Sequence, residues 1–194
     1  PEDGKMYWWQ KGSGMNPYWA ADYNTNQDKR NRFLLNGSLK YKFTDWLNAE
    51  IKAGSDMYFT EETSKLYAGS PRSTNGSFSF GEKKFYENNF SFMLTAQKDR
   101  FLGDFGGTAT FGGNMMERKS TGLSVGTGNK LIVPNWFWLS NAEKADLSVG
   151  QTYNHKKINS LYGTVGVNYD GWAFLDITAR NDWSSALSKE NQSF

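Results

Sequence analysis

The sequence predicts an all-β chain of antiparallel up-and-down hairpins forming part of a transmembrane β-barrel, with about six strands of a larger barrel present. Three observations predict it. Apolar and polar residues alternate with period two in six stretches, pairs of those stretches are joined by tight turns, and the pairs are separated by long, polar, aromatic-rich connections.

The first stretch places Phe33, Leu35, Gly37, Leu39, Tyr41 and Phe43 on one face, with Arg32, Asn36, Ser38, Lys40 and Lys42 on the other. Only a strand segregates residues in this way. Thr44-Asp45 reverses the chain, and Leu47, Ala49, Ile51 and Ala53 then alternate with Asn48, Glu50 and Lys52. The second hairpin sets Phe90, Phe92, Leu94 and Ala96 against Ser91, Met93, Thr95 and Gln97. It turns over Lys98 to Gly103 and returns through Phe105, Gly107, Ala109 and Phe111, with Thr108 and Thr110 on the polar side. The third runs through Leu161, Gly163, Val165, Val167 and Tyr169, turns at Asp170-Gly171, and returns through Ala173, Leu175, Ile177 and Ala179 against Asp176, Thr178 and Arg180. Asp-Gly between alternating runs is a strong hairpin signal, because its residues tolerate the left-handed backbone of a tight turn.

The expected strands are 31–43, 46–56, 88–98, 104–113, 158–169 and 172–182. The intervening segments 57–87 and 114–157 are then long loops at the same end of the hairpins, longer than structureless connections usually are. They carry Tyr58, Phe59, Tyr67, Phe78, Phe80, Phe85, Tyr86, Trp136, Phe137, Trp138 and Tyr153, and the leader adds Tyr7, Trp8, Trp9, Tyr18 and Trp19. Aromatic faces stack on sugars and pack on peptide side chains alike. Trp136, Phe137, Trp138, Tyr18 and Trp19 are therefore the candidate substrate or partner contacts, the alternative being that they pack within their own loops. At the tight-turn end Tyr41, Phe43, Trp46, Phe101, Tyr169 and Trp172 fit an interfacial girdle. Arg32, Lys40, Glu50, Asp176 and Arg180 are expected to face the lumen.

Composition separates the membrane classes. With 38% hydrophobic residues and a mean hydropathy of -0.71, no run approaches the roughly 20 apolar residues of a spanning helix. A barrel escapes that test because only alternate residues meet lipid. The 22 basic and 20 acidic residues nearly balance and are scattered, giving no case for nucleic acid. Absence of cysteine excludes disulfides and thiolate metal sites. Neither Pro1 to Lys5 nor Leu187 to Phe194 reads as a natural boundary, so both ends are expected to be cut.

No catalytic, metal or cofactor site is expected. Gly126-Thr127-Gly128-Asn129-Lys130 lacks the spacing of a phosphate loop and no helix follows it, so it reads as a glycine-rich surface loop. His155, the single histidine, stands beside Lys156-Lys157 without an evident acidic partner and reads as a solvated loop residue. Glu61-Glu62, or Asp176 with Asp182, are the carboxylate pairs available for glycoside hydrolysis, but adjacent loop acids are ordinarily solvated. Asn-x-Ser triplets at Asn36, Asn75, Asn89 and Asn191 suit turns and strands.

Six strands with one lipid-compatible face leave two unpaired edges that hydrocarbon cannot satisfy. Either more chain closes the barrel, or the sheet folds on itself as a soluble sandwich with apolar faces inward.

Asn16-Pro17-Tyr18-Trp19, Arg30-Asn31-Arg32-Phe33 and Lys40-Tyr41-Lys42-Phe43-Thr44-Asp45-Trp46-Leu47 resemble the barrel of SusC/RagA-family TonB-dependent transporters of the Bacteroidota. Asn159-Ser160-Leu161-Tyr162-Gly163, Val167-Asn168-Tyr169 and Ala179-Arg180-Asn181-Asp182-Trp183-Ser184-Ser185 continue the resemblance, the last being similar to the family's Arg-x-Asp-Gly-Ser-Ser stretch with Trp183 in place of Gly. The resemblance implies a barrel of about 22 strands, a preceding plug domain, a capping SusD-like surface lipoprotein, and import of oligosaccharides or peptides across the outer membrane. The TonB-ExbB-ExbD complex would drive that import through the plug, which is expected to lie outside this sequence. A soluble carbohydrate-binding β-sandwich without catalysis and a passive porin-like barrel are the competing readings.

Overall fold

The structure, a computed structural model, describes residues 6–7, 14–70, 73–188, 190 and 193. Trp8, Trp9 and Phe194 lie outside the described residues. The element order is α1 (Pro17–Tyr23), β1 (Thr25–Lys42), β2 (Leu47–Leu66), β3 (Ser77–Leu102), β4 (Phe105–Gly126), a 3-10 turn (Lys144–Asp146), β5 (Ser148–Tyr169) and β6 (Ala173–Ser184). The strands form one sheet in the order β1-β2-β3-β4-β5-β6, so each strand pairs with its chain neighbours and β1 and β6 are edges. The up-and-down architecture read from the alternation is therefore observed, and the sheet is not closed. Among the described residues the strands belong to this one sheet, with no second sheet.

The turns follow from local chemistry. Asp170 and Gly171 have φ of 46° and 71°, and the Trp172 amide donates to the Tyr169 carbonyl at 3.1 Å. Positive φ at both central residues makes a type I′ turn, whose twist matches the flanking strands. The β5–β6 register follows from it, pairing Tyr169 with Ala173, Val165 with Ile177 and Tyr162 with Arg180. Between β1 and β2 the Phe43 amide donates to the Leu47 carbonyl at 2.9 Å, while Thr44 Oγ1 accepts from the Leu47 amide at 3.0 Å. The expected Lys98 to Gly103 turn is shorter in the structure, because β3 continues to Leu102 and Gly103, with φ of 57°, turns directly into β4.

The largest correction concerns strand length. Most of 57–87 and 114–157, expected as loops, is strand, leaving connections of 67–76 and 127–147. Tyr58, Phe59, Phe78, Phe80, Phe85, Tyr86 and Tyr153 accordingly sit on strands. The reason is that alternation is visible only where one face is apolar. Beyond that zone, stretches such as Thr60-Glu61-Glu62-Thr63-Ser64 are polar on both faces and carry no period-two contrast, although their backbones still pair.

The chain resolves into two units, one of 1–32, 58–84 and 120–153 and one of 33–57, 85–119 and 154–194. The second contains the tight turns and the two-faced wall. Phe33, Leu35, Leu39, Tyr41 and Phe43 are each more than half exposed, as are Leu175 and Ile177. Nothing in the described structure covers this side. So continuous an uncovered apolar surface marks a face that meets another apolar phase or partner, and β2 to β5 each pair with a strand on both sides. Small residues let the wall pack: a Cβ on Gly113 would meet Phe92 Cε1 at 2.7 Å and the Ser160 carbonyl oxygen at 3.0 Å. At the turns, Tyr41 and Phe43 contact edge to face at 4.9 Å, and Tyr169 meets Phe105 at 4.8 Å and Trp172 at 6.1 Å.

The other unit holds the small apolar core. Trp19, Phe78, Leu131 and Ala142 are the buried hydrophobic residues among those described. Pro17 opens α1 at a position where its missing N–H is harmless, and the Asn16 side chain caps the helix by accepting from the Tyr18 amide at 3.0 Å.

Candidate functional site

The Trp136-Phe137-Trp138 triplet is split by its loop. Phe137 packs inward against Tyr67 with ring centroids 4.7 Å apart, and approaches Phe78 at 6.4 Å, while the Lys65 ammonium lies 5.7 Å from its face. Tyr67 meets Tyr23 edge to face at 5.4 Å, and Tyr23 stacks on buried Trp19 at 5.1 Å. Phe137 and Trp19 thus belong to the packing that holds the loops together. Trp136 and Trp138 are 52% and 64% exposed, and Tyr18 is 83% exposed, so these three present aromatic surface outward.

The exposed pair rests on a built scaffold. Asn141, 2% exposed, donates from Nδ2 to the Val133 and Trp136 carbonyls, both at 2.7 Å, and accepts at Oδ1 from the Val133 amide at 2.9 Å. An amide side chain fits because it alone offers two donors and an acceptor in one plane. Backbone bonds from Ile132 to the Asn141 carbonyl and from Asn141 to the Trp138 carbonyl close the same turn. Asn135 adopts a left-handed φ of 64° and accepts at Oδ1 from the Ala68 amide at 2.7 Å, tying this loop to 67–76. Thr127 is wholly buried, and its Oγ1 accepts from the Phe78 amide at 2.9 Å. The segment read as a glycine-rich surface loop therefore begins with an anchoring residue. Periodicity carried no signal for it, because it is fixed by one hydroxyl at a strand end.

The same unit contains a polar trough of about 470 Å³ lined by Asn26, Asp28, Arg30, Glu62, Ser79 and Ser124, among others. Arg30 donates from Nε to Thr60 Oγ1 at 2.9 Å, and its guanidinium lies 4.8 Å from the Tyr58 ring centroid. Glu62 pairs with Lys83 at 2.6 Å. Both signs of charge are held on one wall, with hydroxyls between them. Sequence reading missed this trough, since 57–87 was expected to be loop and Asp28 and Arg30 precede the alternating zone.

The polar face of the other unit carries the remaining expected residues, apart from Arg32, which is exposed on β1 in the loop-end unit. Glu50 is nearly buried beneath Lys40 at 3.5 Å and Lys52 at 3.2 Å. Lys40 and Glu50 are cross-strand partners by the β1–β2 turn, so the pair is a direct product of register. Arg180 makes a two-oxygen contact with Asp182 at 2.8 and 3.1 Å, and Nη2 donates to Ser160 Oγ at 3.3 Å. Thr164 and Thr178 hydrogen-bond across the strands at 3.1 Å. Asp176 stands opposite Gly166 in the register, with its carboxylate over that glycine. The structure brings Lys40 to Glu50 but does not bring Asp176 to Arg180's ion pair.

Next to the apolar zone, Glu87 accepts from Asn89 at 3.1 Å and from Arg118 at 2.6 Å. His155 is corrected from a loop residue to a strand residue on β5, with Nε2 2.8 Å from Glu117 Oε1; Lys157 approaches the same oxygen at 3.2 Å. The acidic partner escaped the sequence because Glu117 is 38 residues away and meets His155 only through β4–β5 pairing. Among the described residues no group of three or more acidic, histidine or cysteine side chains is placed to hold a metal.

No protein-family model matches this chain, and no curated protein matches it. Solved structures do. A structure of the RagAB peptide transporter aligns over 98% of this chain and 22% of its own, with a TM-score of 0.84 at 17% identity. The RagAB peptide importer in the "open-open" state aligns over 98% of this chain and 21% of its own, with a TM-score of 0.85 at 18% identity. The chain has the fold of a RagAB transporter segment. It spans about a fifth of the length of those transporter chains. The same fold accommodates 98% of this chain at such low identity because what it requires is a register and an alternation, which many side chains satisfy. The fold expected from the SusC/RagA resemblance is thereby borne out, as the fold of part of a larger chain.

Proposed function

We propose that this chain is the barrel segment of a SusC/RagA-type TonB-dependent importer of a bacterial outer membrane, taking up oligopeptides with a SusD-like surface lipoprotein. The observation that carries the reading is the six-stranded meander with one uncovered apolar wall, whose fold aligns along nearly its whole length with the RagAB peptide transporter. In this reading the apolar wall meets outer-membrane lipid, the aromatic turn end lies at the periplasmic interface, and the loop end faces outside. Lys40, Glu50, Asp176 and Arg180 line the lumen. Asp28 and Arg30 share strand parity with Arg32 and Lys40 on β1, which supports reading the charged trough as lumen-facing as well.

Paired charges of both signs with hydroxyls between them suit the termini, side chains and amides of a peptide, whereas a neutral glycan would leave the charges unused. Exposed Trp136, Trp138 and Tyr18 supply surface for substrate or the capping lipoprotein. The role is transport, not catalysis, and energy enters through a plug and the TonB-ExbB-ExbD complex acting on the rest of the protein.

Uptake by cells carrying the full-length protein tests this. Labelled oligopeptides should accumulate and oligosaccharides should not, with the protein retained in carbonate-washed outer membranes. Carbonate extraction of the full-length protein into the soluble fraction would overturn the membrane reading, and glycan uptake would overturn the peptide assignment.

A further inference from the structure

The charged trough at the loop end holds one acid that its neighbours leave open. Asp28 and Arg30 line it from alternate positions of β1, so their side chains leave the same face roughly 7 Å apart along the strand. The same spacing on β6 produces an ion pair, because there Arg180 Nε meets the Asp182 carboxylate at 2.8 Å. On β1 the arginine turns away. Arg30 donates instead from Nε to Thr60 Oγ1 at 2.9 Å on β2, with its guanidinium 4.8 Å from the Tyr58 ring centroid.

The nearby lysines are committed elsewhere. Lys83 is held by Glu62 at 2.6 Å, Lys65 lies 5.7 Å from the Phe137 ring, and Lys29 leaves β1 on the opposite face. Among the described residues no hydrogen bond or ion pair reaches the Asp28 carboxylate, which is exposed.

An ionised carboxylate only accepts hydrogen bonds, and the Ser64, Ser79 and Ser124 hydroxyls that share the trough accept them as well as donate. The complement is a group that is all donor and positively charged, an ammonium or a guanidinium. A metal ion fits less well, since among the described residues no group of three or more acidic, histidine or cysteine side chains stands ready to hold one. The trough has room, its volume of about 470 Å³ lying within the range of pockets that take small ligands. Gly81 keeps one wall low: a Cβ there would come no nearer than 3.5 Å to its neighbours.

We propose that Asp28 selects for positive charge in the transported peptide, holding an ammonium or guanidinium group supplied by a basic side chain or by the peptide's own N-terminus. Arg30, fixed by Thr60 and Tyr58, offers its Nη donors to a backbone carbonyl of the same peptide. The assignment rests on the importer reading above, because Asp28 meets a passing peptide only if its face lines the lumen.

The test is calorimetric binding to the full-length protein in detergent, with three oligoalanine probes. One is blocked at both ends and carries a lysine, the second has glutamine in its place, and the third is the glutamine peptide with a free N-terminus. A cationic probe should bind roughly fivefold more tightly than the blocked glutamine peptide, the upper end for an exposed charge pair. Which cationic probe gains identifies the source of the charge. Asp28→Asn, an isosteric change at an exposed residue, should abolish the preference and leave the blocked glutamine peptide bound as before. The preference should also shrink at about 1 M salt, and Gly81→Val should weaken the favoured probe by narrowing the trough. Equal binding of the three probes, a preference that persists in Asp28→Asn, or a favoured probe indifferent to Gly81→Val overturns the proposal. Peptide uptake without charge preference leaves the importer reading standing, whereas uptake of oligosaccharides in place of peptides overturns both.

Discussion

Asn141→Ala should loosen the Trp136/Trp138 loop without unfolding the sheet. Three hydrogen bonds, to the Val133 amide and to the Val133 and Trp136 carbonyls, converge on this buried side chain. At about 1 kcal/mol net for each bond, their loss weakens the local fold by about 3 kcal/mol, roughly a hundredfold in the opening equilibrium. The effect should appear in amide hydrogen exchange of the full-length protein in detergent. Protection at Ile132 and Asn141, whose amides donate to Asn141 and Trp138 carbonyls, should fall by about that factor, while strand amides of β5 and β6 keep theirs. Asn141→Asp sharpens the test. It preserves shape and the acceptor for Val133 but turns the donor side into an acceptor facing two carbonyls, so it should protect no better than Ala. Unchanged protection at Ile132 and Asn141 in both variants would refute the clamp.

If the proposed importer role holds, Trp136→Ala/Trp138→Ala should weaken binding of peptide or surface lipoprotein by the full-length protein at least tenfold with no change in unfolding midpoint, read by calorimetry; Phe137→Ala should instead loosen the loop by about 2 to 3 kcal/mol, read by hydrogen exchange. Gly113→Val should destabilise the barrel by about 1 to 3 kcal/mol, because its new atoms meet Phe92 and the Ser160 carbonyl; an unchanged urea midpoint in micelles would count against that packing.

The two-faced part of the fold was legible residue by residue. Phe33 to Phe43 and Leu161 to Ala179 announce strands because lipid-compatible and wet faces demand opposite chemistry at alternate positions, and Asp170-Gly171 announces its turn because few other pairs adopt two successive left-handed residues cheaply. Where both faces are polar, as over Thr60 to Ser64, the same backbone pairing leaves no mark in the sequence, and the strands were read too short. The aromatic triplet was legible as a cluster but not as a division of labour: which of Trp136, Phe137 and Trp138 turns inward is set by Asn141, Tyr67 and Phe78.

By itself, then, the sequence determined the class of fold, the order of its hairpins, and which residues of the wall share its apolar face and which its polar face, since strand geometry converts neighbouring positions into opposite faces without reference to anything distant. Only the tertiary structure decided the pairs that meet across strands: Glu117 with His155, Glu87 with Arg118, Arg30 with Thr60. Those contacts depend on register, and register is settled by turn geometry and by the summed packing of every cross-strand neighbour, a property of the assembled sheet that no single stretch of chain contains.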